Sequence, residues 1–371
     1  MEVHEYEIGI EKNEIETPAL LVDLNALERN IQKMAEFCQR RGINLRPHAK
    51  IYKATPVFAW MQLNAGAIGL TVSKLSEAEV LANAGIKEIL IANQVVGEQK
   101  VRRLVNLAAY THVITAVDSL ENLSQLSQAA QERGVELGVV VEVNIGNDRC
   151  GVEPLEKTAE FVHAMEKIPA LKFRGLMGYD GHLVFERDFA ERDRKSREAY
   201  QLLVETAECL RKEGIEVEII SGGGSTTCKA AAAVKGMTEL QPGTYLFMDT
   251  TYKNNGLDEF DCTLTVLSTI ISRPQRKGAE DVAILDVGRK AMDLTYGFPE
   301  VKYPQGTIFS VPQEHSRLRF EGKGPHLKIG DKVELWVKDA NGTINLYDKI
   351  YAMRNDIVEA VWDISGRGKV T

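Results

Sequence analysis

Lys50 is the residue from which a chemistry can be built. It closes the run Arg46-Pro-His-Ala-Lys50, behind a proline and two places after His48. A lysine held partly out of water has a lowered pKa, and its neutral amine is a nucleophile. Far along the chain stands Ser221-Gly-Gly-Gly-Ser-Thr-Thr227, followed by Gly243. Glycines such as Gly222, Gly223 and Gly224 let backbone N–H groups approach an anion, and a following helix N-terminus favours its charge. An amine facing a phosphate cradle is what pyridoxal 5'-phosphate requires. Each feature also has a plainer reading: a solvated loop lysine, and a tight turn. Lys53, three residues on, is a rival nucleophile.

What decides between those readings is where the elements put the residues. Short β-branched runs at 43–46, 67–72, 88–92, 113–116, 139–144, 173–178, 217–221 and 239–241 alternate with stretches of helical period, among them 98–108, 120–133 and 191–213. Strands alternating with helices predict a parallel sheet, and eight such units predict a (β/α)8 barrel of the TIM type. A doubly wound open sheet is the structural alternative. Active sites of barrels collect at the C-terminal ends of the strands, and phosphate sites at the loops after strands seven and eight. Lys50 ends the first strand, and the glycine triplet and Gly243 follow the seventh and eighth.

After about Asp258 the rhythm changes to strand-like runs at 263–272, 282–286, 307–311, 332–337, 344–353 and 357–362, with turn signals such as Lys338-Asp-Ala-Asn-Gly342 between them. The expected organisation is a barrel over 25–256 and an all-β domain over 257–371, joined by residues 1–24. The segment 18–23 could serve either domain.

Composition narrows the function classes. The 371 residues are 44% apolar, and 45 basic face 53 acidic side chains for a net charge of −8. That balance argues against a nucleic-acid partner. No run approaches a membrane span, and the opening Met1-Glu-Val-His-Glu-Tyr lacks the basic and apolar regions of a leader. Five cysteines form neither a CxxC nor an even disulfide framework. A cytoplasmic protein acting on a small molecule is the expectation.

Arg46-Pro-His-Ala-Lys50-Ile-Tyr-Lys53 resembles the Arg-Pro-His-x-Lys-Thr-His-Lys box of the D-threonine aldolase and D-serine dehydratase group, fold-type III pyridoxal-phosphate enzymes related to alanine racemase. The resemblance runs along nearly the whole chain, through Asn93-Gln-Val-Val96, Arg149-Cys-Gly-Val152, Glu239-Leu-Gln-Pro-Gly-Thr-Tyr245, Asp286-Val-Gly-Arg-Lys-Ala291 and Asn345-Leu-Tyr-Asp348. It implies that Lys50 forms the Schiff base with the cofactor. It also implies that Gly222, Gly223, Gly224, Ser225 and Thr226, with Gly243 and Tyr245, form the phosphate cradle, and that Tyr179 lines the cofactor pocket. Arg149 is implied at the pyridine edge or the substrate carboxylate, its alternative being a loop arginine paired with Asp148 or Glu153. His182 is a candidate proton carrier. A homodimer with active sites at its interface is implied as well.

One departure bears on the reaction. Aldolase and dehydratase members carry a metal-binding His and a Cys or Asp shortly before the Asn-Leu-x-Asp motif, where this chain has Asp339 and Asn341. An Asp and an Asn carbonyl suit Mg or Mn rather than zinc. A hairpin turn is the competing reading of the same residues, and it implies that the metal is lost. The leading expectation is a lyase cleaving a β-hydroxy-D-amino acid. The alternatives are an amino-acid racemase or epimerase with His182, Tyr296, His315 or Tyr347 as second base, a D-serine dehydratase-like enzyme, and a non-catalytic cofactor carrier.

Overall fold

The structure, a computed structural model, describes residues 7–321 and 327–371; the opening hexapeptide read above lies outside them. The described chain forms two compact units. One takes residues 32–50, 54–243 and 369–371, and the other takes the residues up to 31, 51–53 and 244–368.

The chain opens with β1 (Ala19–Asp23) and α1 (Leu24–Arg41). The first unit is then built from β2 (Asn44–Leu45), α2 (Pro56–Asn64), β3 (Leu70–Val72), α3 (Leu75–Asn83), β4 (Glu88–Gln94), α4 (Glu98–Ala108), β5 (His112–Val117), α5 (Leu120–Arg133), β6 (Leu137–Glu142), α6 (Glu156–Met165), β7 (Leu171–Met177), α7 (Phe189–Lys212), β8 (Ile219–Gly222), α8 (Cys228–Ala233) and β9 (Glu239–Leu240). All eight expected strands are present. They form one parallel sheet in the order β2-β9-β8-β7-β6-β5-β4-β3. The two ends meet: Ile68 N–H donates to Leu45 O and Thr71 N–H to Pro47 O, both at 2.9 Å, and His48 bridges Thr71. The sheet is therefore a closed barrel, which removes the open-sheet alternative.

Strands buried on both faces need continuous apolar runs, and Leu90, Ile114, Ala116, Val140, Met177 and Ile219 supply one such shared cluster. Local chemistry sets the helix ends. Ser119 caps α5 by accepting the Asn122 N–H, and Gly134 ends it at φ +71.

The second unit contains α9 (Thr250–Asn254), β10 (Leu264–Ser272), β11 (Val282–Leu285), β12 (Glu300–Tyr303), β13 (Gly306–Ser310), β14 (Ser316–Phe320), β15 (Lys332–Trp336), α10 (Ala340–Ile344), β16 (Lys349–Arg354) and β17 (Ile357–Asp363). Its sheet runs β13-β14-β11-β10-β1-β16-β17, with β15 on β10 and β12 on β15. The segment 18–23 thus belongs here. Its strand β1 lies antiparallel to β10 and parallel to β16, packing Ala19 and Leu21 on Ile15, Leu267, Tyr351, Met353 and Val358.

Two expectations need correction. Lys338-Asp-Ala-Asn-Gly342 is not a hairpin turn but the start of α10, because Asp339 accepts the Gly342 N–H at 3.2 Å and caps the helix. The strand expected over 344–353 accordingly begins only at Lys349. Among the described residues, no helix is long and apolar enough to cross a membrane.

Candidate active site

Lys50 sits in a 3₁₀ turn, Ala49–Tyr52, just beyond the end of β2. Its Nζ lies 5.9 Å from the centroid of the Tyr179 ring, and the Arg149 guanidinium lies 5.6 Å from the same centroid. Tyr179 follows β7 and Arg149 follows β6, so three separate strand ends converge on one ring. His48 is the buried neighbour. Burial, together with the charge of Lys50, holds its pKa well below the usual range, so the imidazole is neutral. Lys50 N–H points to its Nδ1 at 3.4 Å.

The glycine-rich loop after β8 is held from beneath. Asp180 is fully buried and accepts from Ser196 Oγ (2.6 Å), Tyr200 OH (2.7 Å) and Thr227 Oγ1 (3.0 Å). The Tyr200 hydroxyl in turn accepts the Gly223 N–H at 2.7 Å. Glycine is required here by space: a Cβ on Gly222 would lie 2.5 Å from Tyr200 Cε1 and 2.6 Å from Gly178 O. Gly223 adopts φ +79. A Cβ on Gly224 would stand 3.4 Å from the Tyr179 ring, which puts the loop and that ring side by side. Gly243 lies against the His48 backbone, 2.9 Å from its carbonyl oxygen to a built Cβ.

Within this loop Ser225 is buried, and Thr226 Oγ1 is buried with no hydrogen-bond partner. A buried hydroxyl without a partner costs free energy, and here it adjoins glycines at the mouth of a barrel. These residues fit an anionic group such as a phosphate, and the convergent lysine, tyrosine and arginine fit a ring attached to it.

His182 is exposed on the 3₁₀ turn Gly181–Leu183, its ring against Gly146. Tyr245 is fully buried in the second unit, packed on Phe260 at 5.6 Å. Tyr347 donates to Ala291 O at 2.9 Å, and burial drives its pKa far up, so it is no ready base. Tyr296 and His315 are exposed. Arg149 is not paired with Asp148 or Glu153; its Nη2 lies 3.4 Å from Glu142 Oε1.

Asp339 and Asn341 stand at the start of α10. The Asp339 carboxylate caps that helix through Oδ1, and burial, with the negative charge of Asp293 beside it, raises its pKa. Among the described residues no group of three His, Cys, Asp or Glu side chains could hold a metal.

Sequence reading missed Asp180, Tyr200, Gln94 and Glu142. Asp180 stands two places before His182, and Glu142 ends a strand on the functional face. Those positions were the available signal.

A closed parallel barrel with an amine, an arginine and a glycine cradle at its C-terminal mouth defines the class. The chain belongs to the alanine racemase N-terminal domain family, which matches residues 22–251, and residues 263–353 match the putative serine dehydratase domain. Among its relatives is the D-threonine aldolase of an Arthrobacter species, 36% identical over 95% of this chain and 93% of that one. The 3-hydroxy-D-aspartate aldolase of Paracoccus denitrificans is 34% identical over 97% and 94%. The crystal structure of D-threonine aldolase from Filomicrobium marinum superposes with a TM-score of 0.92 at 34% identity, covering 98% of both chains.

Proposed function

We propose that the protein is a pyridoxal-phosphate-dependent aldolase that splits a β-hydroxy-D-amino acid into glycine and an aldehyde. The observation that carries this reading is the Tyr179 ring, shared by Lys50 and Arg149 and flanked by Gly224. Relatives 33–36% identical over 95% or more of the chain are aldolases, and that favours carbon–carbon cleavage over racemisation or dehydration.

When bound, the cofactor supplies an electron sink for the charge left on the α-carbon. The chain does the rest. Lys50 Nζ would hold the cofactor by its aldehyde end. Thr226 Oγ1 and the glycine-loop N–H groups would receive the phosphate, and Tyr179 and Arg149 would line the ring. In the reaction the Cα–Cβ bond would break, the β-hydroxyl would give its proton to water as Cβ becomes a carbonyl, and Cα would take up a proton from Lys50 Nζ to leave glycine. The same reading makes the protein a cytoplasmic homodimer with a small amino acid as its partner.

The test is product identity from a panel of D- and L-β-hydroxy amino acids, analysed chirally with chelator and with added Mn or Mg. Glycine plus aldehyde from D-substrates, undiminished by chelator, is the expected result. A changed diastereomer without cleavage would replace the aldolase with an epimerase, and activity only with added metal would restore Asp339 and Asn341 as ligands.

A further inference from the structure

We propose that Glu142, held by Gln94, is a positioning residue that fixes the Arg149 guanidinium over Tyr179 and so sets how the bound cofactor or substrate meets that cation. The proposal rests on the function just given and adds to it a layer beneath the site. Glu142 is the last residue of β6, and its side chain is 5% exposed. A carboxylate so buried needs partners for both oxygens. One faces Arg149 Nη2 at 3.4 Å, and the other accepts from Gln94 Nε2 at 2.7 Å.

That same Gln94 nitrogen also donates to Asp118 Oδ2 at 3.1 Å. An amide NH2 has two hydrogens, and here each goes to a different carboxylate, so Gln94 separates two like charges while orienting both. Gln94 reaches this place through an irregularity. Ile91 pairs with Thr115, yet Gln94 pairs with Ala116, and a bulge of this kind re-aims a side chain.

The loop bearing Arg149 is tied down as well. Asp118 Oδ2 accepts the Gly151 N–H at 3.0 Å, Val152 N–H donates to Glu142 O at 2.8 Å, and Asn144 N–H donates to Val152 O at 2.9 Å. Gly151 has φ +110, and a Cβ there would stand 2.7 Å from Asn144 N. The return onto β6 is therefore open to glycine alone. Arg149 itself is 54% exposed. An arginine so exposed ordinarily samples many rotamers, and a pair between two exposed charges contributes little. Here the partner is buried and hydrogen-bonded to Gln94 through its other oxygen, so the head group is held from below. Cys150 registers the local field: burial raises its thiol pKa, and the Glu142 charge adds to the rise.

The test is a double-mutant cycle on cofactor binding, using the full-length protein freed of cofactor and its pyridoxal-phosphate dissociation constant. The pH profile of the bound cofactor's absorbance is followed alongside. Arg149→Ala and Glu142→Gln are each expected to weaken binding roughly tenfold, or to shift the profile alike. The double variant is expected to match Arg149→Ala within about twofold. Melting temperatures of the cofactor-free proteins are expected to stay close to that of the parent, which a structural salt bridge alone would not predict. Should Glu142→Gln fail to fold, Gln94→Glu, which replaces the bridging donor by a third carboxylate, is expected to give the same coupling to Arg149.

Additive losses approaching a hundredfold in the double variant would overturn the proposal. So would unchanged binding and spectra in Arg149→Ala or in Glu142→Gln. A parent protein that binds no pyridoxal phosphate would instead remove the proposed function, and this inference with it.

Discussion

Lys50 and Lys53 are three residues apart, yet their surroundings differ. Lys50 shares the Tyr179 ring with Arg149 in the barrel. Lys53 belongs to the second unit, has φ +50, and its carbonyl oxygen would be 2.0 Å from a Cβ on Gly366. Borohydride reduction of the cofactor-loaded protein is therefore expected to fix the cofactor to Lys50. Peptide mass mapping checks it: Lys53→Ala keeps the label and Lys50→Ala loses it. A second residue, Asp249, makes a pH-dependent statement. Burial raises its carboxyl pKa from 3.8 to about 7, although the N–H groups of Tyr252 and Ala340 pull the other way. A folded pKa above the unfolded one favours the protonated form in the fold. Its stabilising share is thus complete below about pH 4 and is lost as pH rises through about 7. Thermal melts across that window are expected to show a downward slope in the parent that Asp249→Asn flattens. Equal slopes would refute it.

At the scale of elements, the support under the glycine loop is the most exposed to test. Tyr200 on α7 ties Asp180, after β7, to Gly223, at the end of β8. Tyr200→Phe leaves the buried Gly223 N–H without its partner and removes one of the two donors to Asp180 Oδ1, which costs about 1–3 kcal/mol. Lower urea stability and weaker cofactor binding are expected together; stability loss with unchanged binding would detach the network from the cradle. Much of this architecture is legible in the sequence. Parallel strands buried on both faces read as apolar runs, so all eight barrel strands and the exact span of α4 and α5 were recoverable. The second unit was harder. β12, Glu300-Val-Lys-Tyr303, is a short and largely exposed edge without an apolar signature, whereas β14 alternates cleanly and was simply overlooked. Asp-Ala-Asn-Gly serves equally as a turn or as a cap and first helical turn, and Asp293 behind Gly342 is distant in sequence. Lys50 and the glycines stand out by their position at expected strand ends, whereas the roles expected of Arg149 and Tyr179 come from the family resemblance. Glu142, Gln94 and Asp180 do not stand out, because a carboxylate or amide acquires its meaning only from the neighbour it meets.

For the whole barrel, one buried ion pair joins the first strand to the last. Arg46 meets Glu239 through two bonds of 3.0 Å, with Ser221 Oγ also donating to Glu239 at 2.8 Å. Removing Arg46 alone strands a buried carboxylate, and Arg46→Met is expected to cost about 3–5 kcal/mol. Arg46 Nη1 is buried without a partner, so the pair is incompletely satisfied. Replacing both residues by apolar ones is expected to cost less than replacing Arg46 alone, as denaturant titration at neutral pH would measure. An equal or greater loss in the double variant would show that the pair is favourable beyond its own repair. The second unit carries a different consequence. Its interior strand β1 precedes the barrel in the chain, while its neighbours β10 and β16 follow it. The barrel is in effect an insertion within that sheet. During translation, β1 waits on the order of tens of seconds for its partners at ordinary ribosomal rates. Over that interval its unpaired edges are open to any other strand, so a nascent chain of this design is exposed to mispairing at the strand that precedes its barrel.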